Sequence, residues 1–147
     1  MYGTLKTGYV NHSAMKKLGG KIVGVGSVMK SVLIDTHGNF PYMISATDWR
    51  NNATGELWEF ANKTSFKALD QIEVPAGYIP TMVDVTTNDK SASYHSNVLT
   101  YMYPGIYYDN GVVKHITTDS EIEVNRVLDG KQWDSVADNN GVGQLFK

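Results

Sequence analysis

Apolar residues recur at alternate positions in short runs, and glycine, asparagine, aspartate or proline interrupts every run. That period commits most of the chain to strands rather than helices. Residues 21–28 (KIVGVGSV), 31–34 (SVLI) and 42–45 (YMIS) are β-branched runs bounded by turn residues. Residues 55–60 (GELWEF), 78–86 (YIPTMVDVT) and 98–103 (VLTYMY) repeat the pattern. Asp109, Asn110 and Gly111, set between Tyr107-Tyr108 and Val112-Val113, predict a hairpin turn. Residues 48–54 (DWRNNAT) are polar and predict a loop.

Helical spacing is predicted at two places. Asn62, Thr64 and Ser65 offer N-caps, and Phe66, Leu69 and Ile72 follow as a stripe at every third position. Pro75 stops this helix, with Glu73 at its end. Thr118 to Glu121 (TDSE) has capping-box spacing and predicts a second helix through Leu128. The sum is roughly seven strands and two to three helices, without the strict alternation of a doubly wound parallel sheet. The predicted class is α+β, a small mixed or antiparallel sheet curled into a barrel-like core with helices against it. No internal repeat or linker divides residues 1–147, so one domain is expected.

Composition removes several kinds of function. The chain has no cysteine, which excludes disulfide scaffolds, thiol nucleophiles and cysteine metal sites. A net charge of −2 gives no basic excess for nucleic acid. No apolar run approaches the ~20 residues of a membrane span. The expectation is a cytoplasmic protein with neither nucleic-acid nor membrane partners. His12, His37, His95 and His115 form no metal-ligand spacing, so no metal is expected. Serine-hydrolase elbows, phosphate loops and dinucleotide fingerprints are also absent.

Two features invite a chemical interpretation. Nine tyrosines are many for this length, and most suit the half-buried faces of strands. Tyr2 and Tyr78 instead stand beside Gly3 and Gly77, where a backbone can approach a ligand closely. Glu73 lies between Ile72 and Val74-Pro75. Desolvation there would raise its pKa and suit it to general acid–base work near neutral pH. Spacing alone favours an ordinary surface glutamate at a helix end.

The ordered motifs resemble those of γ-glutamylcyclotransferase-like proteins of the AIG2-like type. Tyr2-Gly3-Thr4-Leu5-Lys6 with Gly8 and Asn11-His12 is similar to the family's opening YG[ST]L(K/R)xGxxNH. Phe40-Pro41, the strand GELWEF, and Leu69-Asp70-Gln71-Ile72-Glu73 followed by Gly77-Tyr78 continue the resemblance in order to about residue 103. Residues 106–147 are left unassigned by these blocks.

The resemblance implies a barrel-like α+β fold and a reaction without cofactor that releases 5-oxoproline from a small γ-glutamyl compound. It implies Glu73 as proton acceptor and donor. Tyr2, Gly3, Thr4 and Leu5 would form the loop that holds the γ-glutamyl group, with Tyr78 and, more weakly, Tyr101 beside it. Pro80 stands where the family often has a basic residue. An alternative from another class therefore stays open: a catalytically silent protein that uses the same pocket to sequester a small anionic metabolite or nucleotide. A homo-oligomer assembled through the C-terminal region stays open as well.

Overall fold

The computed structural model describes residues 1–3, 12–35, 41–87 and 93–134. In chain order these residues form α1 (His12–Lys17), β1 (Gly20–Met29), β2 (Ser31–Asp35), β3 (Pro41–Ala46) and β4 (Asn52–Phe60). There follow α2 (Thr64–Glu73), β5 (Ile79–Thr87), β6 (Tyr94–Met102), β7 (Ile106–Asp109), β8 (Val112–His115), β9 (Glu121–Ile122) and β10 (Arg126–Leu128). No helix among them is long and apolar enough to cross a membrane.

The strands form two sheets. The first, in the order β4-β1-β5-β6, is antiparallel throughout and carries bulges at Ile22/Gly24 and Val83/Val85. Bulges increase local twist and bend a sheet, which accounts for its half-barrel curl. β1 and β5 pair only at Gly26↔Thr87 and Ser27↔Thr86. A Cβ on Gly26 would lie 2.5 Å from Val85 Cγ1, so the bare glycine lets the two strands come together there.

The second sheet, β10-β2-β3-β7-β8-β9, is mixed because β3 and β7 run parallel. Its most buried strand is β2, covered at all five positions. Leu33 points into a cluster with Tyr2, Met43, Ala53, Leu128 and Trp133. Val32 and Ile34 point the other way, onto Ile44, Ala46 and Val113. The period-two pattern of a strand thus serves two cores at once.

The hairpin at Asn110-Gly111 forms as predicted, with both residues at positive φ and Asp109 facing Val112. That is the geometry of a two-residue turn matched to strand twist. The polar loop is shorter than expected, since β4 already begins at Asn52.

The helix predicted from Thr118 through Leu128 does not form, and β9 and β10 occupy that stretch. The Ser120 N–H donates to Thr118 Oγ1 at 3.3 Å, and the His115 N–H donates to the Ser120 carbonyl at 2.9 Å, folding the segment back on β8. Asp119 sits at φ 56°, which no α-helix start accepts. Ladder pairing on β8 and β2 satisfies the backbone, while Ile122, Val124 and Val127 pack onto the Val32–Ile34 core. Burial in a sheet has overridden the local capping signal.

The double-faced burial of β2 can be tested by chemical denaturation. Leu33→Ala should cost about 2–5 kcal/mol, as for a fully buried leucine. Ile116→Ala, at an exposed position, should stay within about 0.5 kcal/mol. Similar losses for the two variants would contradict this packing.

Candidate functional site

α2 brings Glu73 into the protein by a rotation that the sequence pattern did not show. The expected stripe was Phe66, Leu69 and Ile72, but Ile72 is 42% exposed and Phe66 36%. The inner face is centred on Ser65 and Leu69, and Glu73 continues it at the next four-residue step. Leu69 is 1% exposed and packs with Met15 and Tyr101. Ser65 Oγ donates to the Leu18 carbonyl at 3.0 Å. This hydrogen bond satisfies a polar side chain on the buried face and sets the helix's rotation.

The exit from α2 places Tyr78 beside Glu73. The Glu73 carbonyl accepts the Ala76 N–H at 3.1 Å and the Tyr78 N–H at 3.3 Å. Pro75 has no N–H to extend the helix, and Gly77 turns the chain at φ 100° with Tyr103 packed close by. The Tyr78 hydroxyl then donates to the Pro41 carbonyl at 2.7 Å.

The first residues of the chain supply the opposite wall. Met1 and Glu56 exchange backbone hydrogen bonds, as in an antiparallel strand pair. A Cβ on Gly55 would strike the Met1 carbonyl at 2.5 Å, so this approach needs glycine there. Tyr2 is 7% exposed. Its hydroxyl donates to the Tyr101 carbonyl and accepts the Met43 N–H at 3.3 Å. Gly3 lies against Pro41. Of the predicted loop, Thr4 and Leu5 lie outside the described residues.

Glu73, Tyr2, Tyr78 and Tyr101 are thus brought together, close enough for the carboxylate to act electrostatically on all three phenols. Burial pushes the Glu73 carboxyl up from an ordinary 4.5 to about 7, and the α-amino group of Met1 pulls it partly back. Burial likewise holds the three tyrosine hydroxyls well above their usual range, so they remain proton donors. No hydrogen bond or ion pair to the Glu73 carboxylate forms among the described residues.

Tyr101 occupies a different place from Tyr78. It is 2% exposed, and its hydroxyl donates to Asp70 Oδ1 at 2.5 Å. Two further tyrosines, which sequence reasoning did not select, complete the aromatic wall. Tyr42 stacks on Tyr103 with ring centroids 4.1 Å apart, and both rings approach Tyr78, at 5.7 and 6.1 Å. Only the pairing of distant strands gathers them. Asp70 was detectable in principle, because it lies three residues before Glu73 on one helix.

Two openings lie elsewhere. A cavity of about 40 Å³ sits inside the curled sheet among Tyr2, Gly26, Met43, Leu57 and Val85. A cleft of about 640 Å³ lies between the β3–β4 loop and the β7–β8 hairpin, beside Trp49 and Asn110. Its Asp48 is paired with Arg50 at 2.7 Å and its Asp109 with Lys114 at 3.2 Å. Glu73 lines neither opening. No cluster of three or more metal-ligating side chains occurs among the described residues.

Known proteins agree with this architecture. A family model described as γ-glutamyl cyclotransferase, AIG2-like, matches residues 1–134. The chain belongs to this family. The match passes residue 103, where the recognisable sequence blocks end, and takes in β7 through β10. Among solved structures, an AIG2-like protein of Mus musculus aligns at 19% identity and a TM-score of 0.58, covering 95% of this chain and 89% of that one. A uropathogenic E. coli-specific protein aligns at 24% and 0.54, covering 69% and 74%. A protein from Pyrococcus horikoshii aligns at 23% and 0.51, covering 70% and 74%. These similarities establish the fold. A search of curated proteins finds no match. Membership in the γ-glutamyl cyclotransferase, AIG2-like family supports cyclotransferase-like chemistry in general.

The raised pKa of Glu73 has a consequence for stability. The unfolded chain releases this proton near pH 4.5, while the folded protein holds it to about pH 7. Wild-type stability should therefore fall across that interval and level off above it. Glu73→Gln removes the effect, so the stability gap between variant and wild type should widen by up to about 3 kcal/mol across the interval. Thermal unfolding at a series of pH values would show it. A constant gap would mean that the carboxyl titrates as an exposed one.

Proposed function

We propose that this chain is a γ-glutamyl-amine cyclotransferase that releases 5-oxoproline, with Glu73 as its acid–base residue. The observation that carries the reading is the half-buried Glu73 carboxyl, raised to about 7 and facing Tyr2 and Tyr78. Near neutral pH such a group exists in both protonation states, as a residue that first takes and then returns a proton requires.

The reaction needs little more than a well-held substrate. Glu73 takes a proton from the α-ammonium of the γ-glutamyl group. The freed amine attacks the γ-carbonyl carbon, forming the ring C–N bond and leaving an oxyanion. Glu73 delivers its proton to the nitrogen of the departing amine. The carbonyl re-forms, the old C–N bond breaks, and the ring nitrogen passes its extra proton to water. Attack within one molecule draws on a large effective molarity once the substrate is folded into a near-attack pose.

The backbone of Tyr2, Gly3, Thr4 and Leu5 would hold the γ-glutamyl carboxylate or the oxyanion. Amide donors suit that task because they need no reorganisation as charge develops. The tyrosines around Tyr78 would keep water from the carboxyl and maintain its raised pKa.

The test is 5-oxoproline release from a panel of γ-glutamyl amines and dipeptides. Wild type should turn over at least one of them, and Glu73→Gln should lower that turnover by about 10²–10⁴ with the fold intact. Because the carboxylate must accept the first proton, kcat/KM should fall as pH drops below about 7. Folded wild type that is silent across the panel, or full activity in the Gln variant, would overturn the assignment. Silence would favour a binding protein with the same pocket.

A further inference from the structure

We infer that Tyr101 is a positioning residue that acts through Asp70, clamping the Glu73 face of α2 against the first residues of the chain. The inference rests on the reading of Glu73 as the acid–base residue. Tyr101 stands at a junction: its hydroxyl donates to Asp70 Oδ1 at 2.5 Å, and its carbonyl accepts the Tyr2 hydroxyl. One β6 residue therefore holds both walls of the site. With 2% exposure its ring is packed among Met15 and Leu69 and offers no surface to a ligand.

The clamp matters for the placement of the Glu73 side chain. No hydrogen bond or ion pair to its carboxylate forms among the described residues, so its position follows that of the helix. The groups facing it are the phenols of Tyr2, Tyr78 and Tyr101, together with the α-amino group of Met1. Leu69 supplies non-directional apolar contact. The hydroxyl-to-carboxylate bond at Asp70, one turn before Glu73, is short, charge-assisted and directional. Without it the last turn of α2 could move outward, admitting water to Glu73 and lengthening its reach to the substrate amine.

The experiment compares Tyr101→Phe, Asp70→Ala, their combination and Asp70→Asn. Tyr101→Phe keeps the buried ring, and Asp70→Asn keeps an acceptor oxygen. Each of the first two should lower kcat about ten- to a hundredfold with KM changed less than about threefold, because the reacting groups are misplaced while binding persists. The double variant should be no worse than either single one, since both remove the same interaction. Asp70→Asn should recover most of the loss. The titration of the Glu73 carboxyl, followed by carbon NMR, should move from about 7 toward 4.5 in Tyr101→Phe as water enters.

Unchanged kcat with an unmoved titration would overturn the inference. A loss confined to KM would overturn it too, making Tyr101 a substrate contact. If folded wild type releases no 5-oxoproline from any substrate, the proposed activity fails. The NMR titration then decides the clamp alone: a shift in Tyr101→Phe supports it, and none refutes it.

Discussion

The Tyr2 hydroxyl joins the two sheets of this protein. It donates to the Tyr101 carbonyl in the curled antiparallel sheet and accepts the Met43 N–H in the mixed sheet. A phenol this deeply buried is tolerated only when its polar end is satisfied, and here both the donor and an acceptor site are used. The ring meanwhile fills the apolar cluster around Leu33 and Trp133. Packing and polar satisfaction therefore fix the start of the chain in one orientation, and the site is built outward from it.

From that joint the electrostatics of Glu73 follow. Tyr101 reaches back to Tyr2 and forward to Asp70, while Tyr78 is held at Pro41 and flanked by Tyr42 and Tyr103. The phenols of Tyr2, Tyr78 and Tyr101 stay protonated and remove water from the carboxylate, and the Met1 α-amino group offsets this only in part. Desolvation dominates, and the carboxyl is pushed up to about 7. An Arg or Lys in place of one of these tyrosines would favour the charged carboxylate and lower its pKa.

Much of this was legible in the residues, though unevenly. The strand runs, the Asn110-Gly111 hairpin and the existence of α2 follow from local period and turn chemistry, and the structure has them. Glu73 and Tyr78 could be singled out because a carboxylate between apolar residues and a Gly-Tyr pair are unusual locally. The phase of α2 could not. Phe66, Leu69 and Ile72 look like the buried stripe, but Ser65 bonding to the Leu18 carbonyl turns the helix so that Glu73 enters and Ile72 stays out. The segment after Thr118 failed for a related reason. Its capping pattern is real, yet free edges on β8 and β2 offered its backbone better partners than a solitary helix.

By itself the sequence determined the strand-rich α+β class and the positions of most turns, and it made Glu73 a candidate, because these depend on neighbours a few residues away. Tertiary structure alone decided that Glu73 would be desolvated, that Tyr42 and Tyr103 would wall in Tyr78, and that Tyr101 would bind Asp70. Each of these is a matter of burial, and burial depends on which distant surface covers a residue. The tyrosines that meet around Glu73 come from the start of the chain, β3, β6 and the turn after α2. Their meeting is specified only when the two sheets close over the Tyr2 ring.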